Sequence, residues 1–166
     1  MQSLLSVPAG CDIFIDANIF VYGLNRVSAQ CLRLLERCSR EEVIGISLFE
    51  IVNEATHQLM LGEAVSKGVI TRPSAKALRG KSAISHLIDY WHDTERILAL
   101  NLLFFSTDEQ IVRNAQHERQ SASVLTNDSM ILSWMREFGI RHIATADRDF
   151  ERANGITVFG PDDIRA

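Results

Sequence analysis

Short, almost wholly apolar runs alternate along this chain with stretches whose apolar residues recur every three to four positions. The runs lie at 12–15 (DIFI), 43–46 (VIGI), 102–106 (LLFFS), 142–145 (HIAT) and 156–159 (ITVF). Each is too short for a core helix and reads as a buried strand. Between the first two, Ala29, Leu32, Leu34, Leu35 and Cys38 keep helical spacing, while Arg33, Glu36, Arg37 and Arg40 take the intervening positions, the pattern of an amphipathic crossover helix. Each of the first four strands is followed by a helical pattern. Apolar strands alternating with helices predict an α/β fold of three layers, α/β/α, with a central parallel sheet of about five strands. In such sheets ligands bind outside the carboxyl ends of the strands, where the strand order reverses.

The stretch 62–101 is too long for a simple connection. Its apolar positions Ala77, Leu78, Ile84, Leu87, Ile88 and Trp91 predict a helical hairpin or insertion with a turn near Arg72-Pro73. With no internal repeat or low-complexity linker, 166 residues at 46% apolar and 23% charged read as one domain spanning 1–166. The first ten residues lack the basic start of a secretory signal, and no apolar run approaches the roughly 20 residues of a membrane helix. Cys11, Cys31 and Cys38 form no Cys-x-x-Cys pair, which removes a disulfide framework and a zinc site and fits a reducing cytoplasm.

Acidic residues gather at the predicted strand ends. Asp16 follows the first strand directly, Asp147 and Asp149 follow the fourth, Asp128 opens the helix before it, and Glu50 and Glu54 share one face of the helix after the second. Taken singly, Asp16, Asp128 and Asp147 also fit helix caps or first-turn acids, each stabilising by roughly 1 kcal/mol. Together they converge on one end of the sheet. Carboxylates about 5 Å apart repel by roughly 3 kcal/mol at an effective dielectric near 20, so the cluster needs a cation or shifted pKa values. All-oxygen donors select magnesium or manganese, one or two ions, and open water positions on such ions suit phosphodiester hydrolysis.

The stretches IFIDANIFVY (13–22), IVNEATHQLM (51–60), LTNDSMILSWMREFGIRHIATADRDF (125–150) and GITVFGP (155–161) resemble, in this order, those of the PIN-domain family, and within it the VapC-type toxin ribonucleases. The resemblance implies that Asp16, Glu54, Asp128 and Asp147 are catalytic and metal-holding, that Asp149 is a further ligand, and that Asn18 and Thr145 orient the carboxylates. Glu50 lies on the same helical face and is the competing glutamate; the residues after Glu54 favour Glu54. The resemblance further implies a metal-dependent endoribonuclease that leaves a 5′-phosphate and a 3′-hydroxyl, a cognate antitoxin and a homodimer. A stand-alone RNA-processing nuclease of the family, and a non-cutting RNA- or protein-binding domain, are the alternatives. A phospho-accepting receiver domain wants a lysine near the last strand, and no lysine follows Lys81.

Net charge is −4, from 17 basic and 21 acidic residues, which argues against nucleic-acid binding by bulk charge. Its placement changes that picture. From Ala64 to Ile88 the chain carries Lys67, Arg72, Lys76, Arg79 and Lys81 and no acidic residue. These five are the expected RNA phosphate contacts, set against a solvated helical face as the plainer alternative. His57, His86, His92, His117 and His142 are scattered, and Trp91, Trp134, Phe104 and Phe105 sit in apolar patterns that fit core or interface packing.

Overall fold

Ile13, Phe14 and Ile15 are fully buried, so the strand they form is covered on both faces. At roughly 1.5–3 kcal/mol for each large apolar side chain removed from water, such strands anchor the core. The computed structural model describes residues 1–164. In chain order it contains β1 (Gln2–Ser3), β2 (Asp12–Ile15), α1 (Ala17–Leu24), α2 (Ala29–Ser39), β3 (Ile44–Leu48), α3 (Phe49–Ser66), α4 (Ala75–Leu78), α5 (Asp89–Leu98), β4 (Leu103–Phe105), α6 (Glu109–Ala122), α7 (Thr126–Glu137), β5 (His142–Ala144) and β6 (Thr157–Gly160).

The strands form one sheet in the order β1-β6-β5-β2-β3-β4, and every pairing is parallel. The α/β class and the parallel sheet agree with the sequence expectation. The strand count differs: six strands pair. The extra one, β1, is two residues long and pairs with β6 at the sheet edge; so short a run has no hydrophobic period to read. A second difference follows β5, where a single 3-10 turn, Arg148–Arg152, stands where a helix was expected.

Helices cover both faces. Phe14 and Ile46 are partners in register, and Phe14 meets Trp134 of α7 with ring centroids 6.0 Å apart. Gly45, one position along, therefore faces the opposite layer. A Cβ there would lie 2.9 Å from Cys38 Sγ of α2, so only glycine lets α2 approach this closely. α7 ends in a Schellman turn: Gly139 at φ 71° lets its N–H reach Arg136 O and the Ile140 N–H reach Met135 O at 2.8 Å.

The 62–101 stretch is built as the end of a long α3, the short α4, a 3-10 turn at Ser82–His86, and α5. Ala64, Ile70, Leu78 and Leu87 form a small core of their own there, with Val69 and Ile84 packed against it. Ile88 and Trp91, expected on the apolar side, are 56% and 49% exposed. No helix among the described residues is long and apolar enough to cross a membrane.

Candidate active site

From β2 the chain moves outward through β3 to β4, then crosses back to place β5 on the other side of β2 and continues to β6. The strand order thus reverses between β2 and β5, the place at which sheets of this kind form a crevice at the carboxyl ends of the strands. Ile15 and Ala144 are register partners, so the next residues, Asp16 and Thr145, stand side by side at that crevice.

Asp16 caps α1 through Oδ1, which accepts from the Ala17 N–H at 2.7 Å. Its Oδ2 accepts from Asn18 Nδ2 at 2.5 Å and from the Thr145 hydroxyl at 2.6 Å. The Thr145 oxygen in turn accepts from the Asp147 N–H at 3.0 Å and from Asn18 Nδ2 at 3.1 Å. Asn18 Oδ1 accepts from the Ala146 N–H at 2.8 Å. Asn18 and Thr145 therefore stitch the turn after β2 to the turn after β5, and hold Asp16 and Asp147 in one network. Asp147 also caps the 3-10 turn, accepting from the Asp149 N–H at 2.8 Å. Capping is real for Asp16 and Asp147, yet it occupies only one oxygen of each.

Asp128 lies in the first turn of α7, where the N-cap position, Leu125, supplies no side-chain cap. Glu54, in α3, accepts from Gln58 Nε2 at 3.2 Å and from Asn127 Nδ2 at 3.4 Å. The Asn127 contact ties α3 to the start of α7, a bridge that sequence inspection missed although Asn127 immediately precedes Asp128.

Burial sets the electrostatics. Asp16 is 7% exposed, and desolvation pushes its carboxyl up to about 6 against the pull of the Thr145 and Ala17 hydrogen bonds; repulsion from Glu54 and Asp128 adds to the rise. Asp128 is raised by burial first, then by the charges of Asp147, Asp149 and Glu54. Glu54 and Asp128 are thus near enough to act on Asp16, and Asp147, Asp149 and Glu54 near enough to act on Asp128. Among the described residues, Asp16, Glu54, Asp128 and Asp147 take part in no ion pair, whereas Asp149 meets Arg152 at 3.0 Å.

Glu50 has a different employment. Its Oε1 accepts from the Thr107 hydroxyl at 2.5 Å and the Thr107 N–H at 3.0 Å. Burial alone would raise its pKa, but these bonds outweigh it and the net shift is downward. Glu50 is absent from the charges acting on Asp16 and Asp128. Nothing local in the sequence signals this latch, since Thr107 is 57 positions away.

A buried aspartate, Asp16, repelled by the half-buried Glu54 and Asp128, with no basic partner on any of the three among the described residues, is a donor set that fits a hard divalent cation. Among the described residues, no three acidic, histidine or cysteine side chains are already drawn together in a ligand cage. Of the basic residues expected to face RNA, Lys67 is consumed internally: Nζ lies 2.5 Å from Glu63 Oε1 and 3.0 Å from Asp89 Oδ2. Arg72, Lys76, Arg79 and Lys81 are exposed. His142 binds the Asp12 carbonyl oxygen at 3.2 Å, a structural role.

Two solved structures share the fold. A crystal structure of VapBC2 from Rickettsia felis, bound to a DNA fragment from their promoter, contains a chain 17% identical, with a TM-score of 0.59 over 91% of this chain and 99% of that one. A toxin-antitoxin complex from Klebsiella pneumoniae contains a chain 16% identical, with a TM-score of 0.53 over 87% of this chain and 95% of that one. Comparison with curated proteins gives no match. The sequence pattern of the PIN domain matches residues 13–156, a span that takes in every acidic residue of the crevice. The chain belongs to the PIN domain family.

Proposed function

We propose that this protein is a metal-dependent endoribonuclease, and the toxin of a type II toxin-antitoxin pair. The observation that carries the catalytic reading is the buried Asp16, whose carboxyl is raised by desolvation and by Glu54 and Asp128 with no basic residue to offset them. Membership of the PIN family supports the nuclease reading, and the two structural neighbours, both from toxin-antitoxin complexes, support the toxin reading.

In this reading Asp16, Glu54, Asp128 and Asp147 hold magnesium or manganese, with Asp149 as a weaker contributor because it is shared with Arg152. The chemistry such ions supply is activation of water and neutralisation of charge at the phosphate. The protein's own part is positional. Thr145 and Asn18 fix Oδ2 of Asp16, the Ala17 N–H at the α1 N-terminus holds its Oδ1, and Asn127 orients Glu54. Water as nucleophile leaves a 5′-phosphate and a 3′-hydroxyl. Arg72, Lys76, Arg79 and Lys81 contact RNA phosphates, a cognate antitoxin and a second copy of the chain are the protein partners, and the cytoplasm is the setting.

The test combines binding and cleavage. Manganese at about 100 times its dissociation constant should stabilise the protein by roughly 2.7 kcal/mol in a thermal shift. With manganese, a defined RNA pool should acquire new 5′-phosphate ends that disappear in Asp16→Asn. An unshifted melt, or ends that persist in the variant, would sink the proposal.

A further inference from the structure

Aromatic rings crowd the edge of the sheet at β4. Phe105 meets Trp134 of α7 and Phe138 just past its end, with ring centroids 5.2 and 6.3 Å away, and Trp134 meets Phe138 at 4.5 Å. Phe104 stacks on Phe49, at the start of α3, at 5.7 Å. Alternation along the strand puts Phe104 on one face and Leu103 and Phe105 on the other, so the rings wrap the edge from both sides. Much of this cluster is open to water: Leu103 is 52% exposed, Phe105 41%, Phe138 56% and Phe49 46%.

β4 is the last strand of the sheet, and among the described residues no strand pairs with its outer side. Proteins guard such edges with charged side chains or proline, and Leu103–Phe105 has neither. At about 150–250 Å² for a whole phenylalanine, the open parts of the three phenylalanines and Leu103 come to roughly 300–400 Å². A standard interface takes about 800 Å² from each partner, about 65% of it apolar between identical chains. The four side chains thus supply more than half of the apolar surface that a stable dimer buries.

Charge narrows the choice of occupant. From Asn101 to Thr107 the chain has no charged residue. The first acids beyond it are already engaged, Asp108 by the Ile111 N–H and Glu109 by Arg113. Neither a nucleic acid nor a charged peptide finds counter-charge along this strand. A second copy brings the same neutral, aromatic edge, and a two-fold contact sets that edge against itself without opposing like charges at its centre. We propose that two copies of this chain associate through the β4 edge, with Leu103, Phe105 and Phe138 of each at the centre of the contact and Phe49 at its margin. The proposal rests on the reading of a second copy as a protein partner and gives that partner its surface.

Sedimentation velocity in EDTA, without RNA, provides the test. Over about 1 to 100 μM the natural protein should reach twice the mass of one chain. Leu103→Arg and Phe138→Glu, at half-exposed positions on different elements, should each raise the dimer dissociation constant by about tenfold or more while circular dichroism stays unchanged. Leu5→Glu, at a 56% exposed position beside β1 at the opposite edge of the sheet, should leave that constant unaltered. A dimer undiminished in Leu103→Arg and Phe138→Glu, or one dissociated equally by Leu5→Glu, overturns the β4 surface alone. A protein that stays monomeric overturns the surface and the second-copy reading together, whatever else that face binds. Neither metal nor RNA enters the measurement, so failure of the nuclease reading leaves its result standing.

Discussion

Asp16 is held in the folded protein at a cost that is present whenever its carboxyl is ionised. Its pKa rises from 3.8 to about 6 on folding, by burial first and then by Glu54 and Asp128. A carboxyl raised in the folded state favours folding most below the unfolded pKa, and that advantage is lost as pH climbs through about 6. At neutral pH the charge therefore disfavours the fold by about 3 kcal/mol. Asp16→Asn keeps an acceptor for the Ala17 N–H and removes the buried charge. In EDTA at neutral pH its melting temperature should exceed that of the natural protein by several degrees, and the difference should vanish near pH 4. Coincident melts at neutral pH would contradict the burial argument. Thr145, buried at 0% exposure, and Asn18 are the residues that make the cost tolerable, since three of their polar atoms bind the two turns that carry Asp16 and Asp147.

At the scale of elements, the 62–101 stretch is tied to α3 by a carboxylate that sequence inspection did not single out. Glu63 sits near the end of α3 and is 6% exposed. Its oxygens accept from Lys67 Nζ at 2.5 Å and from the Ile88 and Tyr90 N–H groups, both at 2.9 Å, satisfying the free amides at the start of α5. Burial pushes its pKa up, but these bonds outweigh it and bring the carboxyl down to about 2 from 4.5. A lowered carboxyl stabilises the fold above its unfolded pKa, and that stability, roughly 3 kcal/mol, drains away as pH falls from 4.5 towards 2. Hydrogen exchange at the Ile88 and Tyr90 amides should accelerate across that window. In Glu63→Gln exchange should be fast already at neutral pH, with little further change on acidification; unaltered protection would show that α5 is held by apolar packing alone.

For the whole molecule, net charge matters less than where it sits. The acidic excess includes the crevice carboxylates, and two bound divalent ions would bring the formal −4 to zero. The basic stretch packs on the C-terminal part of α3; Glu54 and Lys67 are separated by 13 residues, about 20 Å along the helix. Leu78, next to Arg79, packs with Ala64 near that end of α3, so RNA contacts at Arg79 and Lys81 would be separate from those at the crevice. Reversing the charge at Arg79 and Lys81 together should weaken RNA binding and reduce the slope of log affinity against log salt by about 1.4, the share of two phosphate contacts with a single strand. Binding with an unchanged slope would confine RNA contacts to the crevice.

The alternation of apolar runs with amphipathic stretches determined the α/β class and located the five longer strands; for the central β2 the reason is burial on both faces, which leaves little freedom in composition, while the edge strand β4 is apolar although Leu103 and Phe105 are exposed. It also placed Asp16 and Asp147 at strand ends, since the polar residue that stops such a strand is visible in the chain. The two-residue β1 had too little length to carry a period. The helical face shared by Glu50 and Glu54 made them equivalent by spacing. The residues after Glu54 favoured it by resemblance alone, and the tertiary contacts set the two apart physically, Thr107 claiming the first and Asn127 approaching the second. Likewise, Lys67 looked like its basic neighbours until Glu63 and Asp89 were found against it. Sequence periodicity reports which side of an element faces the core; which partner meets a polar side chain depends on how elements far apart in the chain are packed, and that the folded structure alone decides.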